Sequence, residues 1–128
     1  MATDEEEILM LIGLHSQLTD DGDYERRIGL YTDDGEFIMG DNPGSKGHEA
    51  LRATFAASSS PERRGKHITA NSVLTVTGDT AEGQTDFIFA HLTDAGLQLL
   101  AAGRYFDAFA KVGGQWRYSR RKITFLGA

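Results

Sequence analysis

The chain has 128 residues, no cysteine and a formal net charge of −6. Its length is that of one domain, the missing thiols exclude disulfides and thiolate metal sites, and the acidity argues against nucleic acid, whose binding depends on neutralising phosphates. The charge is uneven, with 14 acidic and 6 basic side chains in residues 1–64 against 5 and 7 in residues 65–128.

The opening stretch, MATDEEEILM, has no basic region ahead of a long apolar run, so it is not read as a signal peptide. No apolar stretch approaches the roughly 20 residues of a membrane span. A soluble, cytoplasmic protein with no membrane or nucleic-acid partner is expected. Thr3 and Glu6 have the spacing of a capping box, and Ile8, Leu11, Ile12, His15 and Leu18 recur at helical intervals. Together they predict a helix over Asp4–Thr19, ended by DDGD. A short second helix is expected over Tyr24–Tyr31, with Ile28 and Leu30 partly buried. TDDG then turns the chain into a short strand, EFIMG, and DNPG makes the next turn. A third helix is expected over Lys46–Ala57, with Leu51 and Phe55 inward, followed by a polar loop, SSSPERRG, without elements of its own.

The second half reads as four strands, KHITANSVLTVT, AEGQTDFIFAHL, LQLLAAGRYFDAFAKV and QWRYSRRKITFL. GDT, TDAG and GG between them are hairpin chemistry. The expected fold is a single α+β domain over residues 1–128, with three N-terminal helices on one face of a curved antiparallel sheet. A curved sheet covered on one side encloses a cavity, and inward polar residues would mark it.

His67, Thr69 and Asn71 share one face of their strand; water and a pocket are both open as its surroundings. His15 falls on the apolar stripe of the first helix, as a satisfied core group or as a second imidazole converging on the same interior. His48 is read as solvated, and His91 as a surface residue near a turn. Asp20, Asp21 and Asp23 sit where negative charge opposes the helix dipole, so one of them is free for another task. A carboxylate beside an imidazole fixes its tautomer and stabilises its protonated form. Tyr105 and Asp107 share a face opposite Arg104 and Phe106, and either pair fits an interior. Phe87, Phe89 and Phe109 are expected to supply apolar wall, and Trp116 to pack. No histidine pair has a familiar ligand spacing, so no metal is expected.

LHSQLTDDGDYERRIGLYTDDGEF, GHEALRATF, KHITANSVLTVTGDTAEGQTDFIF and AAGRYFDAFAKVGGQWRYSRRKI, in this order, resemble the SnoaL-like family of the nuclear transport factor 2 superfamily. The resemblance implies a cone-like α+β barrel with a deep pocket. Its eliminating members use an Asp–His dyad, which matches Asp20 and His67, and some add an arginine that matches Arg121, with Arg120 adjacent. His15 stands where one such dehydratase has a tyrosine, leaving its role open. The expected substrate-binding residues are His15, Asn71, Phe87, Phe89, Tyr105 and Asp107. The resemblance implies no cofactor, an apolar ring compound as substrate, and a homo-oligomer, dimer or trimer. Two functions fit: a lyase or isomerase working by general-base catalysis, and a non-catalytic binding or assembly domain of the same fold.

Overall fold

The structure, a computed structural model, describes residues 1–127. In chain order it contains α1 (Asp4–Asp21), α2 (Tyr24–Ile28), β1 (Tyr31–Met39), β2 (Ser45–Lys46), α3 (His48–Ala57), a 3₁₀ turn (Pro61–Arg63), β3 (Lys66–Thr77), β4 (Thr80–Thr93), β5 (Gly96–Val112) and β6 (Gln115–Phe125). The six strands form one sheet in the order β2-β1-β6-β5-β4-β3. The helices cover one face of it.

α1 starts as its sequence demands. The Thr3 hydroxyl accepts from the Glu6 amide at 3.1 Å, and the Thr3 amide donates to the Glu6 carboxylate at 3.3 Å. Both satisfy groups that a helix start leaves unpaired. The helix ends at Gly22, whose φ of 73° suits a residue without Cβ. It runs two residues beyond the expected Thr19, which places Asp20 inside its last turn.

α2 is shorter than expected, because the chain extends at Tyr31 and pairs with β6 there. TDDG is not a separate turn. It is an irregularity within β1, between the pairings Tyr31↔Tyr118 and Glu36↔Arg120. The β1–β6 pairing is parallel while every other pairing is antiparallel, so the expected all-antiparallel sheet is a mixed one. A parallel partner requires a long crossover, and here α3 together with β3, β4 and β5 lies between the two strands. SSSPERRG likewise contains a 3₁₀ turn, with Pro61 at its first position.

The core lies between α1, α2, α3 and the concave side of the sheet. Ile8, Leu51, Phe55, Phe109 and Tyr118 are essentially inaccessible there. Trp116 also packs inward and donates its indole N–H to Asp4 at 3.0 Å. The convex side keeps apolar side chains in solvent, notably Ile68, Val73, Ile88 and Phe106. Among the described residues, no helix is long and apolar enough to cross a membrane.

Candidate active site

Asp20, from the last turn of α1, meets His67, the second residue of β3, across 47 positions of sequence. Its Oδ1 lies 2.7 Å from His67 Nδ1 and accepts the His67 backbone N–H at 3.0 Å. A carboxylate only accepts, so His67 carries its proton on Nδ1 and leaves the Nε2 lone pair free. The ring rests on Phe89, centroid to centroid 4.6 Å. Gly65 lets this corner close, since a Cβ there would strike the Ala90 carbonyl and the Phe89 ring.

His67 and Phe89 lie on the wall of a cavity of about 620 Å³. Phe37, Leu100 and Ile123 give it an apolar lining, and Ser16, Thr19, Arg27 and Tyr105 give it polar points. His91 lies at its edge, as do Arg63 and Arg64, which are exposed.

His15 is buried and joins the same interior. Its Nε2 is 2.9 Å from the Tyr31 hydroxyl, and its Nδ1 is 3.3 Å from Arg121 Nη1. Arginine can only donate, so Nδ1 accepts, Nε2 carries the proton and the Tyr31 hydroxyl accepts it. Burial, and then the charge of Arg121, hold the His15 imidazole well below the ordinary histidine range. It is therefore a neutral ring of one defined tautomer.

Arg121, which the resemblance matches to an arginine of eliminating members, borders the cavity from within a dense set of partners. Its side chain is fully buried, with Nε and Nη2 donating to Asp107 at 2.8 and 3.0 Å and Nη2 also to the Tyr118 hydroxyl at 2.9 Å. Between two adjacent arginines, strand alternation turns Arg121 inward and leaves Arg120 exposed beside Glu36. Arg121 borders the cavity floor, but most of its donors are committed to Asp107, Tyr118 and His15.

Three of the expected substrate-binding residues, Asp107, Phe87 and Asn71, lie outside the cavity lining. Asp107 is buried behind Arg121 and holds it, out of reach of the cavity. Phe87 belongs to the core, stacked on Tyr105 at 4.5 Å, and Phe109 packs on Tyr118 instead of forming cavity wall. Asn71 faces solvent, because a bulge between Ala70 and Val73 interrupts the alternation. There Asn71 adopts φ 56° and donates to Asp86 at 3.1 Å, while Ser72 turns inward to Thr85. His48, read as solvated, is half-buried and bonds the Tyr31 carbonyl at 3.0 Å.

Arg27 was not anticipated. It is 6% exposed, lies over the Phe55 ring at 3.6 Å and lines the cavity. Burial lowers its guanidinium to about 10, so it remains charged at neutrality. Its neighbourhood, YERRI, has no pattern that separates a buried arginine from the exposed Arg26 beside it. Among the described residues, no cluster of three His, Cys, Asp or Glu side chains is placed to hold a metal ion.

Three helices on an open, curved mixed sheet, with a carboxylate–imidazole pair beside a cavity, describe the SnoaL-like class of the NTF2-like fold. A family model described as a SnoaL-like domain matches residues 1–122, and the chain belongs to that family. No curated protein sequence matches it. Among solved structures it is similar to a protein of unknown function from Mycobacterium tuberculosis, at 31% identity over 94% of this chain and 70% of that one, with a TM-score of 0.87. An NTF2-like protein with a cystatin-like fold from Novosphingobium aromaticivorans matches at 26% identity over 98% and 83%, with a TM-score of 0.86. A scytalone dehydratase-like protein of the same organism matches at 24% over 96% and 84%, with a TM-score of 0.84; at that identity the likeness is one of fold.

Proposed function

We propose that the protein is a cofactor-independent lyase or isomerase that acts on a mostly apolar cyclic small molecule by Asp20–His67 general-base catalysis. The observation that carries this reading is the 2.7 Å contact that fixes the His67 tautomer beside an open cavity. His67 Nε2 takes a proton from a substrate carbon next to a carbonyl or next to a carbon bearing a leaving group. Asp20 stabilises the imidazolium that forms. Tyr105, 4% exposed and on the cavity wall, donates its phenolic proton to a substrate oxygen as negative charge develops. Burial raises the Tyr105 phenol, which keeps it a donor. A cavity with His67 on its wall, held by Asp20, favours this reading over a binding or assembly domain.

Hydrogen exchange tests it without knowledge of the leaving group. The protein is incubated with a panel of cyclic ketones and enones in deuterated water, and incorporation is counted by mass spectrometry. Wild type is expected to label at least one compound, and His67→Ala to lose roughly 10²–10⁴-fold of that rate. Undiminished labelling by the variant would remove His67 from the chemistry.

A further inference from the structure

Of the buried ionisable side chains around the cavity, one guanidinium has no ionic partner. Arg121 is matched by Asp107 at 2.8 Å, and Asp20, which holds the neutral His67, has Lys66 Nζ at 4.0 Å. His15 is neutral. Arg27 alone is buried without a counter-ion: among the described residues it makes no ion pair, and its Nε is sealed from solvent without a hydrogen-bond partner. The other buried, unpartnered side-chain atom among the described residues, Ser16 Oγ, borders the same cavity.

Phe55 and Phe37 offset part of this charge, with ring centroids 3.6 and 5.3 Å from the guanidinium carbon. An aromatic face attracts the cation. It does not receive the in-plane N–H donors, which need oxygen acceptors. A buried charge without a partner is costly, and that cost is relieved when a ligand supplies the missing anion. At the cavity edge Arg63 and Arg64 outnumber the neighbouring Glu62, and the net positive charge favours entry of the same sign of ligand.

We propose that Arg27 is an anion-binding residue, assisted by Ser16, and that the cavity takes a ring compound bearing a carboxylate or another group ionised at neutral pH. The inference deepens the proposed lyase or isomerase by naming its substrate class, and in that respect it rests on that reading. The anion contact itself needs no catalysis. A carboxylate held by Arg27 leaves the apolar ring against Phe37, Phe89, Leu100 and Ile123, within the cavity that His67 also borders.

Isothermal titration with 2-naphthoate and its neutral isostere 2-naphthamide is the test. Wild type is expected to prefer the carboxylate by roughly 10-fold to 100-fold, the range of a hydrogen bond to a charged group. Arg27→Met, which keeps an unbranched apolar stem over Phe55, is expected to abolish the preference, and Arg27→Lys to retain part of it. His67→Ala is expected to keep it in full, so loss of the exchange chemistry and loss of the anion site are read separately. Equal affinity in wild type, no binding of the carboxylate, or a preference that survives in Arg27→Met would each overturn the proposal. The wild-type comparison stands even if both Arg27 variants fold poorly.

Discussion

At the scale of single residues, His15 shows how a polar side chain on an apolar stripe is accommodated. Its two ring nitrogens are both satisfied, by Tyr31 and by Arg121, and the tautomer follows from the fact that arginine has no acceptor. The sign of its pH effect follows too. In the unfolded chain His15 takes up a proton near its ordinary 6.5, whereas burial and Arg121 keep the folded ring neutral well below that. Between the two values the unfolded state binds more protons, so stability falls as pH drops below about 6.5, by up to about 1.4 kcal/mol per pH unit from this group. Urea unfolding of wild type and His15→Gln from pH 7.5 to 5 checks it. The gap in stability between the two should narrow toward acid pH, and parallel curves would refute it. The imidazole on the helical stripe was legible from spacing alone. The neutrality was not, because it depends on burial by distant elements and on an arginine 106 positions away.

At the scale of elements, β3 carries both the clearest reading and the clearest departure. His67 opens the strand and meets Asp20 as its family pattern implies, because α1 ends against that point of the sheet. Asn71 departs because one inserted residue inverts the alternation that follows. The positive φ that the bulge requires suits asparagine, whose short polar side chain tolerates the left-handed region. Asn71→Gly should therefore leave thermal stability nearly unchanged, while Asn71→Val should cost about 1–2 kcal/mol. Equal melting temperatures for the two variants would mean that the bulge places no demand on this residue. A strict period of two in the sequence conceals such an insertion, since KHITANSVLTVT alternates plausibly in either register.

At the scale of the whole molecule, the sheet has one face under the helices and one in solvent. On the solvent face Ile68 and Ile88 pair directly across β3 and β4, 57% and 40% exposed, while Asp86, bound to Arg104 and Asn71, separates them from Val73 and Phe106. An exposed apolar cross-strand pair is a candidate interaction surface, and we propose that a second copy of this chain covers it. Sedimentation velocity should find a dimer or trimer of the 14.0 kDa chain. The pair Ile68→Glu/Ile88→Lys, which keeps a cross-strand attraction, should shift it to monomer. A wild-type monomer at micromolar concentration would rule the assembly out.

The sequence by itself determined the identity and order of the three helices and the five longer strands, because a capping box, helical stripes and hairpin glycines act over a few residues; the two-residue β2 and the 3₁₀ turn escaped it. It also carried the Asp20–His67 pair, through a family pattern that spans nearly the whole chain. Only the tertiary structure decided that β1 runs parallel to β6, that Asn71 and Arg120 face solvent, and that Phe87 and Asp107 lie behind the cavity wall. Strand register and charge compensation depend on which distant residues share a space. Arg27 is the sharpest instance: its significance is a missing neighbour, and no stretch of sequence records which neighbours a side chain will lack.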